Sequence, residues 1–441
     1  MISQRALAPT PPMGWNSWDC FGPSVTEDEV RRNAEFLAEH LAPYGWQYVV
    51  VDIQWYEPLA GAGGYRRDAE LVLDGFSRPW PAPNRFPSAG AAGTGPGFAP
   101  LAEFVHSLGL RFGVHVMRGI PRQAVRSRLP ITGTPYTADE VADLSAGCAW
   151  NTDNVGLNHD HPGAQAYYDS LLAQFAAWGV DFVKADDMIA PYREAEVAAF
   201  AAAVRHCGRP MVLSLSPGTA LDPERAGHLA ANAQMWRVSN DLWDRWPDVL
   251  AQFDRMAVWA PYAGPDAWPD ADMLPIGRIG LRAEVGEPRD SRLTRAEQVT
   301  MLTLWCIARS PLMVGADLSG TDPATIGLLT NPEVLAVHRE SGGAREVYRD
   351  SATIAWTARP EPSEAAGDAY LAVFNLAAQP RTVELPWAAL GLERPTSVRD
   401  LWRRAAVSPD SPAAPRADAV RVSLDPHGAA LLRVHGDPAN D

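Results

Sequence analysis

Apolar residues recur along the chain in short unbroken runs separated by longer amphipathic stretches. Eight of the runs read as strands: 13–18, 48–55, 111–117, 181–186, 210–216, 235–241, 273–277 and 312–317. Some, such as Tyr48-Val49-Val50-Val51, do not alternate, as expected of strands buried on both faces of a parallel sheet. Helical stretches lie between them. Thr26-Glu27-Asp28-Glu29 spells a capping box, and Val30, Ala34, Leu37 and Leu41 follow at helical spacing before Gly45. A second helix covers 164–178 and closes at Gly179, and a third opens at Thr294 and runs through Trp305. Eight strands alternating with helices over roughly 320 residues predict an α/β fold, a (β/α)8 TIM barrel, here placed at 1–338.

Beyond residue 340 the period changes. The runs 353–357, 370–376, 382–385, 397–402, 420–424 and 430–434 show partial period-two alternation, punctuated by Pro, Gly and Asp. They predict a small C-terminal antiparallel β-sandwich over 339–441, with exposed loops at 361–368 and 408–417.

Composition narrows the function. The 441 residues carry 38 Lys+Arg against 53 Asp+Glu, a formal net charge of −15. That balance speaks against nucleic acid and against anionic membrane surfaces as partners. No apolar run approaches the ~20 residues that span a bilayer. The first nine residues lack the apolar core of a signal peptide. The four cysteines, Cys20, Cys148, Cys207 and Cys306, are widely spaced with no CxxC pair. A reduced, cytoplasmic protein is expected, with no metal or organic cofactor. Sixteen Trp are an excess suited to stacking on sugar rings as well as to large cores. Homo-oligomerisation is left open.

Chemistry in a barrel gathers at the C-terminal ends of the strands, and strand parity selects what faces inward. Residues 182, 184 and 186 share a face, so Lys184 and Asp186 both point into the barrel mouth, where the ammonium keeps Asp186 ionised. The competing reading of this pair is a structural ion pair. Arg237 and Asp241 share a face on the sixth strand, although Asp241 also suits a helix N-cap. Two carboxylates from different strands are what glycoside hydrolysis requires. Asp52 with Gln54, His115 with Met117 followed by Arg118, and Ser214 with Ser216 are further polar groups that could bind a polyol or be satisfied within the core. His159-Asp160-His161 reads as a loop with an N-cap rather than a metal site.

These motifs together resemble glycoside hydrolase family 27, the α-galactosidase and α-N-acetylgalactosaminidase family. The matching segments are Pro11-Pro12-Met13-Gly14-Trp15-Asn16-Ser17-Trp18, Leu108-Gly109-Leu110-Arg111-Phe112-Gly113-Val114, Trp178-Gly179-Val180-Asp181-Phe182-Val183-Lys184-Ala185-Asp186 and Trp236-Arg237 followed by Asp241. Asp270-Ala271-Asp272-Met273-Leu274 and Ser310-Pro311-Leu312-Met313-Val314-Gly315-Ala316-Asp317-Leu318 complete the set. The resemblance implies a retaining exo-α-glycosidase acting on terminal α-galactosides. It makes Asp186 the nucleophile and Asp241 the acid/base. Trp18 becomes the platform under the sugar, and Asp52, Lys184 and Arg237 become ligands of its hydroxyls.

The chain departs from the family pattern at the usual Asp-Asp of strand two, which is Asp52-Ile53, followed by Gln54. The usual strand-three Tyr is His115, with Arg118 and Gln123 in an unusual following segment. Ser216 stands where a Glu reads the 2-position, and Met188 stands where a Cys is usual. The same mechanism with another specificity is therefore expected as the alternative: an isomalto-dextranase-like α-glucosidase, an α-N-acetylgalactosaminidase or a β-L-arabinopyranosidase. More distant readings are a Schiff-base aldolase using Lys184 and an inactive carbohydrate-binding protein.

Overall fold

The structure is a computed structural model, and it describes residues 6–219, 221–362, 367–392, 395–407 and 418–436. The loop expected at 408–417 lies outside the described residues, as does part of the one at 361–368.

Eight parallel strands form one sheet: β1 (Met13–Asn16), β2 (Tyr48–Val51), β3 (Arg111–Met117), β4 (Phe182–Asp186), β5 (Val212–Leu215), β6 (Met235–Arg237), β7 (Trp268–Asp270) and β8 (Leu312–Val314). The order is β7-β6-β5-β4-β3-β2-β1-β8, so neighbours in sequence are neighbours in space. A bridge between Leu274 and Val314 brings the β7 side of the sheet round to β8. The curled, TIM-like sheet expected from the pattern is present. One strand sits elsewhere than expected. The seventh ladder is Trp268–Asp270, and 273–277 contributes only the Leu274 bridge. Met273 and Leu274 have the apolar character of a strand, but Asp272 at φ 94° turns the chain away from the ladder before them.

Strand parity sorts the side chains into two layers. Val49, Val51, Val183, Ala185, Leu213 and Leu215 pack outward against the helices. Tyr48, Val50, Phe182, Val212, Met235 and Trp268 fill the barrel interior. The register then continues the inward column upward, with His115 beside Lys184 and Lys184 beside Ser214, and Met117 beside Asp186. The capping boxes at Thr26/Glu29 and Thr294/Glu297 are both formed. The N-cap expected in His159-Asp160-His161 is His161, which caps the helix Pro162–Ala177 by accepting from the Gly163 N–H.

The C-terminal part is antiparallel. Its strands are β9 (Ser341–Arg349), β10 (Thr353–Pro360), β11 (Ala369–Asn375), β12 (Arg381–Pro386), β13 (Pro395–Asp400), β14 (Ala405–Ala406), β15 (Ala419–Leu424) and β16 (Ala429–Gly436). Six of them form a sheet in the order β9-β10-β11-β16-β13-β14, and β12 pairs with β15 as a second layer. β9 escapes the sequence pattern because it opens on Gly342-Gly343 and continues through charged residues, as edge strands do. The sandwich meets the barrel through direct contacts. His427 stacks on Trp246 at 4.1 Å, and Trp402 Nε1 donates to Thr303 Oγ1 at 2.8 Å. Among the described residues no helix is long and apolar enough to cross a membrane.

Candidate active site

The C-terminal ends of the strands surround a small, polar pocket. Six of the ten residues singled out in the sequence line it: Trp18, Asp52, Lys184, Asp186, Arg237 and Asp241. Asp19, Tyr65, Asp272 and Met273 complete the wall.

Asp52 follows β2 and is held on three sides. Its carboxylate accepts from Asn16 Nδ2 at 2.7 Å, from Lys184 Nζ at 3.0 Å and from the Ile53 N–H at 2.8 Å. Burial acts to raise this carboxyl, but the charges of Lys184 and His115 and those hydrogen bonds outweigh it and hold it low. Lys184 is raised in turn. Burial opposes its charge, and the anions Asp52 and Asp186 more than compensate.

Asp186 ends β4. Its Oδ2 accepts from His115 Nε2 at 2.9 Å, and its Oδ1 accepts from the Asp187 N–H at 2.8 Å. Burial acts to raise Asp186, yet the hydrogen bond and charge of His115 and the charge of Lys184 hold it far below the usual carboxylate range. Ser216 adds a weaker pull of the same sign. The side chain is 12% exposed. Asp241 differs in setting, with a side chain 51% exposed and an Arg237 Nη2 contact at 3.2 Å. Arg237 is buried and divides its guanidinium between Asp241 and Asp272, the latter at 2.8 Å. Burial raises the Asp272 carboxyl against the charge of Arg237, and Asp241 and Asp270 add to the rise.

Four expected site residues stand off the pocket wall. His115 is spent on Asp186, and the Ser216 hydroxyl is buried without a hydrogen-bond partner among the described residues. Gln54, at φ 62°, turns away and donates to both oxygens of Asp153, at 3.2 and 3.1 Å. Arg118 is committed to a buried network: Nε lies 2.7 Å from Asp187 Oδ2, Nη1 is 3.6 Å from Glu196, and Nη2 donates to the Ala146 carbonyl. His159 and Tyr168 also bond Glu196. Gln123, raised with Arg118, exchanges hydrogen bonds with the Leu71 backbone. Parity along one strand could not reveal these partners, because they come from other elements: Asp153 from a loop, Glu196 from the helix Glu194–His206 and Asp187 from just past β4.

Tyr65 was invisible to the sequence reading. It sits on the loop after β2 beside Gly63-Gly64 and stacks on Trp18, ring centres 5.3 Å apart and planes at 20°. Trp150 packs against it at 5.4 Å. Ile53 is fully buried in an apolar cluster with Trp18 and Met117, against which Tyr65, Cys148 and Trp150 pack. Among the described residues no group of three or more His, Cys, Asp or Glu could hold a metal ion.

Two carboxylates from different strands, facing one pocket at the mouth of a barrel, are an arrangement that glycoside hydrolysis can use. Residues 143–340 match the family model for α-galactosidase A, and 353–434 match that for the α-galactosidase C-terminal β-sandwich domain. The chain is 28% identical over 414 residues to the α-galactosidase of Cyamopsis tetragonoloba, covering 92% of this chain and 83% of that one. It is 28% identical over 364 residues to the α-N-acetylgalactosaminidase of Rattus norvegicus, covering 78% and 71%. A family 27 β-L-arabinopyranosidase from Geobacillus stearothermophilus, crystallised with arabinose, superposes with a TM-score of 0.92 at 46% identity, covering 97% of this chain and 98% of that one. The chain belongs to glycoside hydrolase family 27.

Proposed function

We propose that this chain is a retaining exo-glycosidase that releases terminal β-L-arabinopyranose. Asp186 attacks the anomeric carbon while Asp241 protonates the departing glycosidic oxygen, giving a glycosyl ester on Asp186. Asp241 then takes a proton from water, which attacks the same carbon and frees the carboxylate. The electrostatics support this division. Asp186 is enclosed and kept anionic by His115 and Lys184, as a nucleophile must be. Asp241 is half exposed, where an aglycone can depart and water can enter. Asp52, Lys184 and Arg237 bring charged groups to the pocket wall for ring hydroxyls, and Trp18 brings an apolar face for the ring. The raised Lys184 argues against an aldolase, whose amine must lose its proton to react.

Ile53 bears on which sugar is bound. β-L-Arabinopyranose and α-D-galactopyranose share the configuration of the anomeric centre and ring hydroxyls, and differ in the hydroxymethyl group on C5. In the family pattern a second carboxylate beside Asp52 binds that group. Here the position is a buried Ile in an apolar cluster. A hydroxyl directed at it loses a partner, at a cost of about 1–3 kcal/mol, whereas a bare C5 methylene loses nothing. The similarity to the Geobacillus β-L-arabinopyranosidase points the same way. The second reading is the α-galactosidase one, favoured by the matched family models.

A panel of nitrophenyl β-L-arabinopyranoside, α-D-galactoside, N-acetyl-α-D-galactosaminide and α-D-glucoside separates these. The arabinopyranoside should lead the galactoside in kcat/KM by roughly 10–100-fold. A galactoside hydrolysed equally well or better would remove the arabinopyranosidase reading and leave the mechanism intact.

A further inference from the structure

Asp19 lies in the short helix Trp18–Phe21 directly after β1, next to the expected sugar platform. It is 3% exposed, and it lines the same pocket as Asp186 and Asp241. The other acids of that wall are all engaged. Asp52 has Asn16 and Lys184, Asp186 has His115, Asp241 has Arg237, and Asp272 has Arg237 and the Leu242 N–H. Asp19 Oδ2 is enclosed without a hydrogen-bond partner among the described residues.

The neighbouring chain is shaped around this carboxyl. A Cβ at position 315, just past β8, would stand 2.0 Å from Asp19 Oδ2. Gly315 is not in the left-handed region, so its lack of a side chain serves space rather than backbone conformation. The fold thus makes room for a buried acid and, among the described residues, gives its Oδ2 nothing to bond. Such burial costs stability unless something compensates. Burial, reinforced by the charges of Asp272 and Asp241, also raises this carboxyl well above its ordinary value. The neutral form that this favours can donate as well as accept a hydrogen bond.

We propose that Asp19 is a substrate-binding residue whose carboxyl hydrogen-bonds a hydroxyl of the pyranose seated on Trp18. The inference rests on the glycosidase reading of the pocket. It makes one distinctive prediction: removing the carboxyl harms catalysis but not the fold.

Asp19→Val and Asp19→Asn test this, assayed on the best glycoside of the panel together with Tm. Asp19→Val should lose roughly 10–100-fold in kcat/KM with Tm unchanged or higher. Asp19→Asn, which keeps the shape and a donor, should recover most of the loss. Wild-type kcat/KM in Asp19→Val would overturn the proposal, as would a fall in Tm that tracks activity in both variants. Calorimetric binding of L-arabinose and D-galactose separates this from the parent reading. Asp186→Ala should bind at least one of them, and adding Asp19→Val should weaken that binding by a similar factor. Equal binding with and without the Asp19 carboxyl defeats the Asp19 contact alone. Binding of neither sugar by Asp186→Ala defeats the reading of the pocket and the Asp19 contact with it.

Discussion

His115 Nε2 donates a 2.9 Å hydrogen bond to Asp186 Oδ2, tying the third barrel strand to the end of the fourth. Lys184 is the register neighbour of His115 and bonds Asp52 on the other side. The carboxylate proposed to attack the sugar is thus aimed by a side chain that does not line the pocket. His115→Phe keeps the ring volume and deletes the donor. We expect kcat/KM to fall about 10–100-fold, as for loss of one charge-assisted hydrogen bond.

The same pair sets the acid limit. Asp186 is depressed in the folded protein, so its contribution to stability is present above the unfolded carboxylate pKa and is lost as pH falls through the folded value. In activity, protonation of Asp186 should appear below the ordinary carboxylate range in the wild-type profile. His115→Phe should move that acidic limb upward. Profiles of kcat/KM against pH for the two proteins check this, and superimposed acidic limbs would contradict it.

Asp241→Ala should discriminate between leaving groups. A nitrophenolate departs with little help, whereas a sugar or alkyl alcohol needs protonation, which general acids supply at about 10²–10⁴-fold. The variant should keep far more of its activity on the nitrophenyl glycoside than on an alkyl or oligosaccharide one. Equal losses on both would remove Asp241 from the acid role.

Ile53→Asp should restore a partner for a C5 hydroxymethyl hydroxyl. The ratio of galactoside to arabinopyranoside kcat/KM should rise roughly 10–100-fold, largely through loss of the arabinopyranoside. Tm must be measured alongside, because the new carboxylate enters an apolar cluster. An unchanged ratio in a folded variant would mean that position 53 does not read C5.

Lys184→Met breaks a buried pair and leaves Asp52 with Asn16 and one backbone N–H. Removing one partner of such a pair costs about 3–5 kcal/mol. Chemical denaturation should show a large drop in stability together with loss of turnover. A variant of wild-type stability would mean that the remaining hydrogen bonds suffice for Asp52.

Much of this site could be read from periodicity. Alternation along Phe182–Asp186 was enough to turn Lys184 and Asp186 into the barrel, and unbroken apolar runs located most of the strands. The reading stopped where partners come from far along the chain. Gln54 and Arg118 are polar groups at strand ends, and in sequence they look like sugar ligands. Asp153 claims the first, and Asp187 with Glu196 claims the second. Asp19 and Tyr65 gave no signal, because what distinguishes them is a missing partner and a ring stacked from a glycine-bordered loop. Strand seven was misplaced because Met273-Leu274 carries the apolar character while Trp268-Pro269-Asp270 carries the ladder.

A retaining mechanism requires Asp186 to bond covalently to the sugar. Incubation with a 2-deoxy-2-fluoroglycosyl fluoride of the preferred sugar, followed by peptide mass spectrometry, tests that directly. The expected result is one equivalent of label on Asp186, with slow reactivation as water completes the second displacement. Label on Asp241, or no label together with a product of inverted anomeric configuration, would contradict it.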